Sequence, residues 1–251
     1  MPGSKACIST VSLAHSSTKS LKMKEFDQTI TLLLNGSQSL YVDKIAWTAT
    51  QTITWVPLAL LLIYILLRHN SLWSLCLTIF AIALCIFCAD QLSSSVTKPL
   101  VARFRPARDP ILMYMVDVVN GYRGGKYGFF SSHAANTMAV ATFVALMIRH
   151  RGLTAWLYSW AVLNCWTRVY LGVHYIGDLL VGICWGLFVG FVIYKLWERF
   201  CPHPTFKAQL HDGIPGTPPR FTPGGFSISS VHFLIAGILL TYIFIAFRAL
   251  W

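Results

Sequence analysis

Acidic residues are scarce in this chain: nine Asp and Glu stand against twenty Lys and Arg in 251 residues, and only 12% of positions are charged. So few carboxylates build no cluster of the kind a hard metal ion needs. So little charge also argues against a soluble enzyme. Cysteine offers no staple either, because the total of seven is odd and Cys76, Cys85, Cys88, Cys165 and Cys184 lie inside apolar runs. Cys85 and Cys88 read as small apolar residues one turn apart on a membrane helix rather than as a redox or metal pair. There is no internal repeat. Residues 1–22 are Ser-rich, carry Lys5, Lys19 and Lys22 with no acid, and lack the apolar core of a secretory signal. Such a segment cannot bury enough apolar surface to offset the entropy of ordering it, so it is expected to be disordered or a mis-assigned extension, with the functional chain starting at Met23.

What the chain does have is hydrophobicity, at 55% of residues, gathered into runs long enough to cross a bilayer. The expected fold is all-α, an integral membrane helical bundle of about six transmembrane helices preceded by an interfacial helix. The segment from Glu25 to about Val42 is too polar to cross and is expected to lie on the membrane surface. Spans are expected at about Ile45–Leu67, Leu72–Thr97, Ser132–Ile148, Leu153–Leu171, Asp178–Trp197 and Ile228–Phe247. The organisation expected is a membrane domain over 23–200, a Pro- and Gly-rich linker over 201–227 and an additional C-terminal span over 228–251.

Counting spans puts Lys98, His133, Arg168 and Asp178 at helix ends on one side of the membrane. Arg68, Arg149, Arg151, Lys195, Arg199, Lys207 and Arg220 fall on the other, and their excess marks that side as cytoplasmic. The net charge of +11 is therefore assigned to phosphate binding and topology, not to nucleic acid.

Cations placed at membrane depth are costly unless they act on something. Lys98 and Arg105-Pro106, then Ser131-Ser132-His133, then Arg168 with His174 and Asp178 form the segments K-x6-R-P, S-x-H and R-x5-H-x3-D. Lysine supplies a point charge and arginine a two-toothed fork, a mixture suited to a tetrahedral anion. Ser131, Ser132 and His133 open a helix, where unpaired N–H groups favour an anion. If helical geometry begins by His174, Asp178 shares its face and can hold one ring nitrogen protonated while the other attacks. The plainer alternative makes both residues helix caps.

In order and spacing these segments resemble the type 2 phosphatidic acid phosphatase and vanadium haloperoxidase superfamily, over roughly residues 25–197. The resemblance implies that His174 is the nucleophile forming a phosphohistidine, Asp178 its orienting partner and His133 the general acid. It implies a phosphate cradle of Lys98, Arg105, Ser131 and Arg168, with the Ser132 and His133 amides, and neither cofactor nor metal. Three positions depart from the family pattern. Phe130 replaces the proline and Ser132 the glycine of P-S-G-H, and Thr167 replaces serine before Arg168.

Between the first two motifs, Tyr122, Arg123 and Lys126 sit in a Gly-rich loop suited to touching a second phosphate or a sugar headgroup; a surface loop with interfacial tyrosines explains it as well. The function these features favour is a lipid phosphatase at the outer face of a bacterial inner membrane, acting on a lipid phosphate or diphosphate within the bilayer. Undecaprenyl diphosphate is the substrate the resemblance favours first. Lipid A, phosphatidylglycerophosphate and a phosphotransferase reaction stay open, as does an anion channel or transporter, which would not need His174 paired to Asp178. Oligomeric state is not legible.

Overall fold

The structure is a computed structural model and describes residues 22–201 and 221–251. Residues 1–21 of the expected extension and most of the connector lie outside them. The described residues are helical, with isolated bridges Phe104–Tyr127 and Phe221–Ser227 and no β-strand. The helices are α1 (residues 22–34), α2 (Leu40–Thr50), α3 (Thr52–His69), α4 (Leu72–Val101), α5 (Ser132–Ile148), α6 (Arg151–Tyr170), α7 (Ile176–Phe200) and α8 (Ile228–Arg248). By length and composition α3, α4, α7 and α8 suffice to cross a membrane. Their outward faces carry Leu60, Phe80, Phe87, Phe188 and Leu240, all more than half exposed as lipid-facing side chains would be. Helix α5 is shorter and almost wholly buried, so the bundle is built around it.

The N-terminal expectation needs two corrections. The surface helix expected over Glu25–Val42 is broken between α1 and α2, where Gly36 takes a φ of +63°. Asn35 fastens that break, donating to the carbonyls of Asp117 (3.1 Å) and Tyr170 (2.8 Å) and accepting from the Asp117 amide (2.7 Å). The first expected span is likewise broken, at Gln51, which has extended dihedrals. Carbonyls freed there are satisfied from the next turn: the Thr54 hydroxyl donates to Thr48 O at 2.7 Å and the Trp55 indole to Ala49 O at 2.8 Å. Satisfying backbone groups with nearby side chains is what permits a helix break at membrane depth.

Helix α4 reaches the site through an irregularity. Residues Leu92–Thr97 are wound as a π-helix, and this wider turn brings the Ser93 hydroxyl onto Phe130 O (2.7 Å) and the Ser132 hydroxyl (2.9 Å). Ala102, at φ +49°, then ends the helix just past Lys98.

The closest packing joins α5 to α7. Gly182, Gly186 and Gly190 recur every four residues on α7, facing the carbonyls of Ser131, Ala135 and Ala139 on α5; a Cβ on Gly182 would meet Ser131 O at 2.7 Å. Small residues at this period let two backbones touch, which is how membrane helices gain packing energy without a hydrophobic effect between them. The seam runs up to Ser131 and Asp178 and so fixes two parts of the site against each other. Helix α8 packs on α2, α3 and α6, held in part by Tyr242 and Ser159 hydroxyls 2.9 Å apart. The described end of the connector packs as well: Phe226 is buried against His69 and Thr222 is buried beside it.

Candidate active site

The helix ends carrying Lys98, Ser131, Arg168 and Asp178 meet at one end of the bundle, as span parity predicts. The Ser131 amide donates to Asp178 O at 3.1 Å, and the His174 and Val173 amides donate to Arg168 O at 3.3 and 3.1 Å. Backbone contacts thus bring motifs two and three together before any side chain is considered.

His174 precedes α7 rather than lying within it. Asp178 still reaches back, and its Oδ2 accepts from the Tyr175 amide (3.2 Å) and lies 3.4 Å from His174 Nδ1. The carboxylate is therefore both helix cap and imidazole partner. With Nδ1–H directed at Asp178, Nε2 presents its lone pair to Arg105 Nη1 at 3.2 Å. His174 is 2% exposed and Asp178 fully buried. Burial, and then the positive charges of Arg105, Arg168 and Lys98, hold the imidazole well below the ordinary histidine value of 6.5, against a hydrogen bond to the Gly128 backbone. It is neutral, as a nucleophile must be.

Three cations ring this histidine. Arg105 also donates through Nε to Tyr127 O at 3.1 Å and through Nη1 to Val173 O at 3.3 Å. Burial lowers its pKa, opposed by Tyr122 and Asp178, but a guanidinium stays charged regardless. Arg168 is 2% exposed, lies against the Tyr122 hydroxyl, and its Nε is 3.5 Å from the Thr167 hydroxyl. Lys98 Nζ donates to the hydroxyls of Ser132 (2.5 Å) and Ser94 (3.1 Å). The Ser132 hydroxyl, where the family pattern has glycine, thus anchors the lysine. Ser131 caps α5, accepting from the Ala134 amide at 3.4 Å. His133 is exposed and within electrostatic reach of Arg168, His174, Arg105 and Lys98.

The loop residues divide. Tyr122 joins the cluster through Arg168 and packs its ring edge-on against Trp47, 5.9 Å between centroids. Arg123 instead donates to Ala107 O at 2.8 Å, and Lys126 is exposed over the rings of Phe104 and Tyr127. Gly128 is required by closeness: a Cβ there would lie 3.1 Å from Arg105 Cγ and 3.2 Å from Asp178 Oδ2.

Two participants escaped the sequence reading. Arg103 donates to Asp178 Oδ1 (2.9 Å) and to Asp27 Oδ2 (2.5 Å), with its guanidinium 3.8 Å above the Tyr175 ring. Asp27, on α1, also accepts from the Gly177 amide at 2.8 Å. Helix α1 is thereby part of the site's scaffold. The available signal was faint: Arg103 sits in the spacer of K-x6-R-P, and Asp27 is one of only nine acids.

A neutral buried histidine, a buried carboxylate behind it, three cations in front and an exposed second histidine can bind a phosphoryl group and attack it. Comparison with known proteins gives the same family. Residues 71–202 match the PAP2 superfamily. A lipid A 4′-phosphatase of Bacteroides thetaiotaomicron is 38% identical over 77% of this chain and 85% of its own length. Another, of Porphyromonas gingivalis, is 36% identical over 69% of this chain and 73% of its own. Among solved structures, a transmembrane PAP2-type phosphatidylglycerolphosphate phosphatase of Bacillus subtilis has a TM-score of 0.54 at 20% identity, covering 71% of this chain and 87% of that one, which is a likeness of fold. The chain belongs to the PAP2 superfamily and is a membrane lipid phosphatase.

Proposed function

We propose that this enzyme removes a phosphate monoester from lipid A, and that it does so through His174. The observation that carries the chemistry is the neutral His174–Asp178 pair faced by Lys98, Arg105 and Arg168. The substrate reading rests on the two relatives, matched over most of their length and both named for the 4′-phosphate of lipid A. They favour this substrate over undecaprenyl diphosphate.

The incoming phosphate draws Arg105 away from His174 Nε2 and onto its own non-bridging oxygens, freeing the ring lone pair. Nε2 then attacks phosphorus, the P–O bond to the lipid breaks, and His133 passes a proton to the departing oxygen. Lys98, Arg105 and Arg168 offset charge on the phosphoryl oxygens, the work that metal ions do in many other phosphatases. Asp178 stabilises the positive imidazole that forms. Water next attacks phosphorus, His133 takes its proton, the P–N bond breaks, and inorganic phosphate leaves. The site is assigned to the extracytoplasmic face of a bacterial inner membrane, on the charge asymmetry between the two ends of the bundle.

Purified protein should release phosphate from lipid A faster than from undecaprenyl diphosphate or phosphatidylglycerophosphate. His174→Ala should abolish release while leaving membrane level unchanged. Release at near wild-type rate from this variant would sink the mechanism, and a preference for another lipid would sink the substrate.

A further inference from the structure

We propose that a groove between α2, α3 and α8 receives an acyl chain and a second anionic group of the same lipid whose phosphate is cleaved at His174. This deepens, and rests on, the lipid phosphatase reading above. The groove is a cavity of about 790 Å³. Each wall is one stripe of a helix: Lys44, Trp47 and Thr48 on α2, Pro57 and Leu61 on α3, and Leu240, Phe244 and Arg248 on α8, with Gln51 at the break between α2 and α3. Spacings of three and four residues put such side chains on a single helix face.

Polarity is graded along it. The walls around Leu58, Leu61, Gly237 and Leu240 are apolar, with Thr48, Gln51, Thr54 and Thr241 adding neutral polar groups, whereas Lys44 and Arg248 are exposed, and no acidic residue lines the groove. Among the described residues neither cation forms an ion pair or a side-chain hydrogen bond. The neighbouring acid, Asp43, is already engaged by the Tyr170 hydroxyl at 2.6 Å. Two unpaired cations above an apolar slot complement a lipid bearing negative charge at its head.

Continuity with the catalytic cluster identifies that lipid as the substrate. Trp47 and Asn120 line the groove; Trp47 packs on Tyr122, and Tyr122 lies against Arg168. One wall therefore serves both sites. Of the groove's lining, Asn120 alone falls within the matched residues 71–202, so this surface is built from what the chain adds to the shared domain. Additions of that kind are where substrate choice is expected to reside.

The test uses full-length His174→Ala protein in detergent, so that lipids bind uncleaved, and native mass spectrometry to read affinity. Lipids are compared in pairs differing by one anionic group: lipid A with both phosphates against lipid A with the 4′-phosphate alone, and phosphatidylglycerophosphate against phosphatidic acid. Adding Lys44→Gln and Arg248→Gln should weaken binding of the member with two anionic groups about tenfold and of its partner by less than about twofold. Equal losses for both members, or none for either, would overturn the proposal. Hydrolysis by wild-type protein is measured on the same lipids. Failure on lipid A there overturns the proposed substrate, and the groove is then judged on whichever pair is hydrolysed.

Discussion

At the scale of single residues, the site depends on how Asp178 is held. Its two oxygens face different partners, Arg103 on one side and the His174 ring with the Tyr175 amide on the other. Arg103 is held by Asp178 and Asp27, so on the proposed mechanism its loss should spare substrate binding and disturb the orientation and charge of the nucleophile's partner. Arg103→Ala is expected to lower kcat about ten- to a hundredfold with KM little changed, and Arg103→Lys to recover part of it; steady-state kinetics on the lipid substrate would decide. A rise in KM with kcat intact would make Arg103 a binding residue instead. The pH profile follows from His174. Its folded pKa lies below the ordinary 6.5, so the free enzyme keeps a neutral nucleophile as pH falls through that value and loses it only lower down. The acid limb of kcat/KM, which reports the free enzyme, should therefore lie below 6.5. Lys98→Ala should move it upward by removing one of the charges that disfavour the imidazolium. Motif spacing made the convergence of Lys98, Arg105 and Arg168 on His174 legible, but Arg103 was hidden because its partners come from Asp27 and Asp178, on either side of it and far away in the chain.

At the scale of helices, hydropathy located the apolar runs and missed their interruptions. The breaks at Gly36 and Gln51 are stabilised by Asn35, Thr54 and Trp55, whose hydrogen bonds carry no hydropathic signature. The π-helical turn in α4 is equally silent, though it places Ser93 on Ser132. The glycine seam was present in the sequence as Gly182, Gly186 and Gly190, but its partner face on α5 required the structure. It leads to a sharp expectation. Gly186→Ala forces a methyl group into the Ala135 carbonyl, backbone that cannot move aside as a side chain would. Overpacking of this kind costs about 1–3 kcal/mol. The detergent-solubilised variant should melt several degrees lower, and activity should fall with it because the seam positions both Ser131 and Asp178. Gly125→Ala, with nothing within 4 Å of the added atom, is the matched control and should leave both unchanged. Equal melting of the two variants would show that the seam does not hold these helices.

At the scale of the whole molecule, the two ends of the bundle differ in how they use positive charge. At one end Lys98, Arg103, Arg105 and Arg168 are engaged with side chains or backbone around His174 and Asp178, and Lys44 and Arg248 line the groove proposed above. At the other, Arg68 lies over its own helix's Tyr64, and Arg149 with Lys195 gathers on Glu198. Cations held by a site say nothing about insertion, so the second group carries the topology proposed above, in which its end is the cytoplasmic one. Span parity alone brought the four motif-bearing ends together; which side they face is the proposal that rests on this charge difference. A lipid phosphate in the outer leaflet is reachable only if the site lies outside. Lys126 is exposed beside the site, whereas His150 lies in the turn between α5 and α6 at the opposite end. Lys126→Cys should react with a membrane-impermeant thiol reagent added to intact cells, and His150→Cys only after the membrane is opened, each read against the native cysteines of the parent protein. The reverse pattern would place His174 in the cytoplasm and remove outer-leaflet lipids from its substrates, whatever the purified enzyme accepts in detergent.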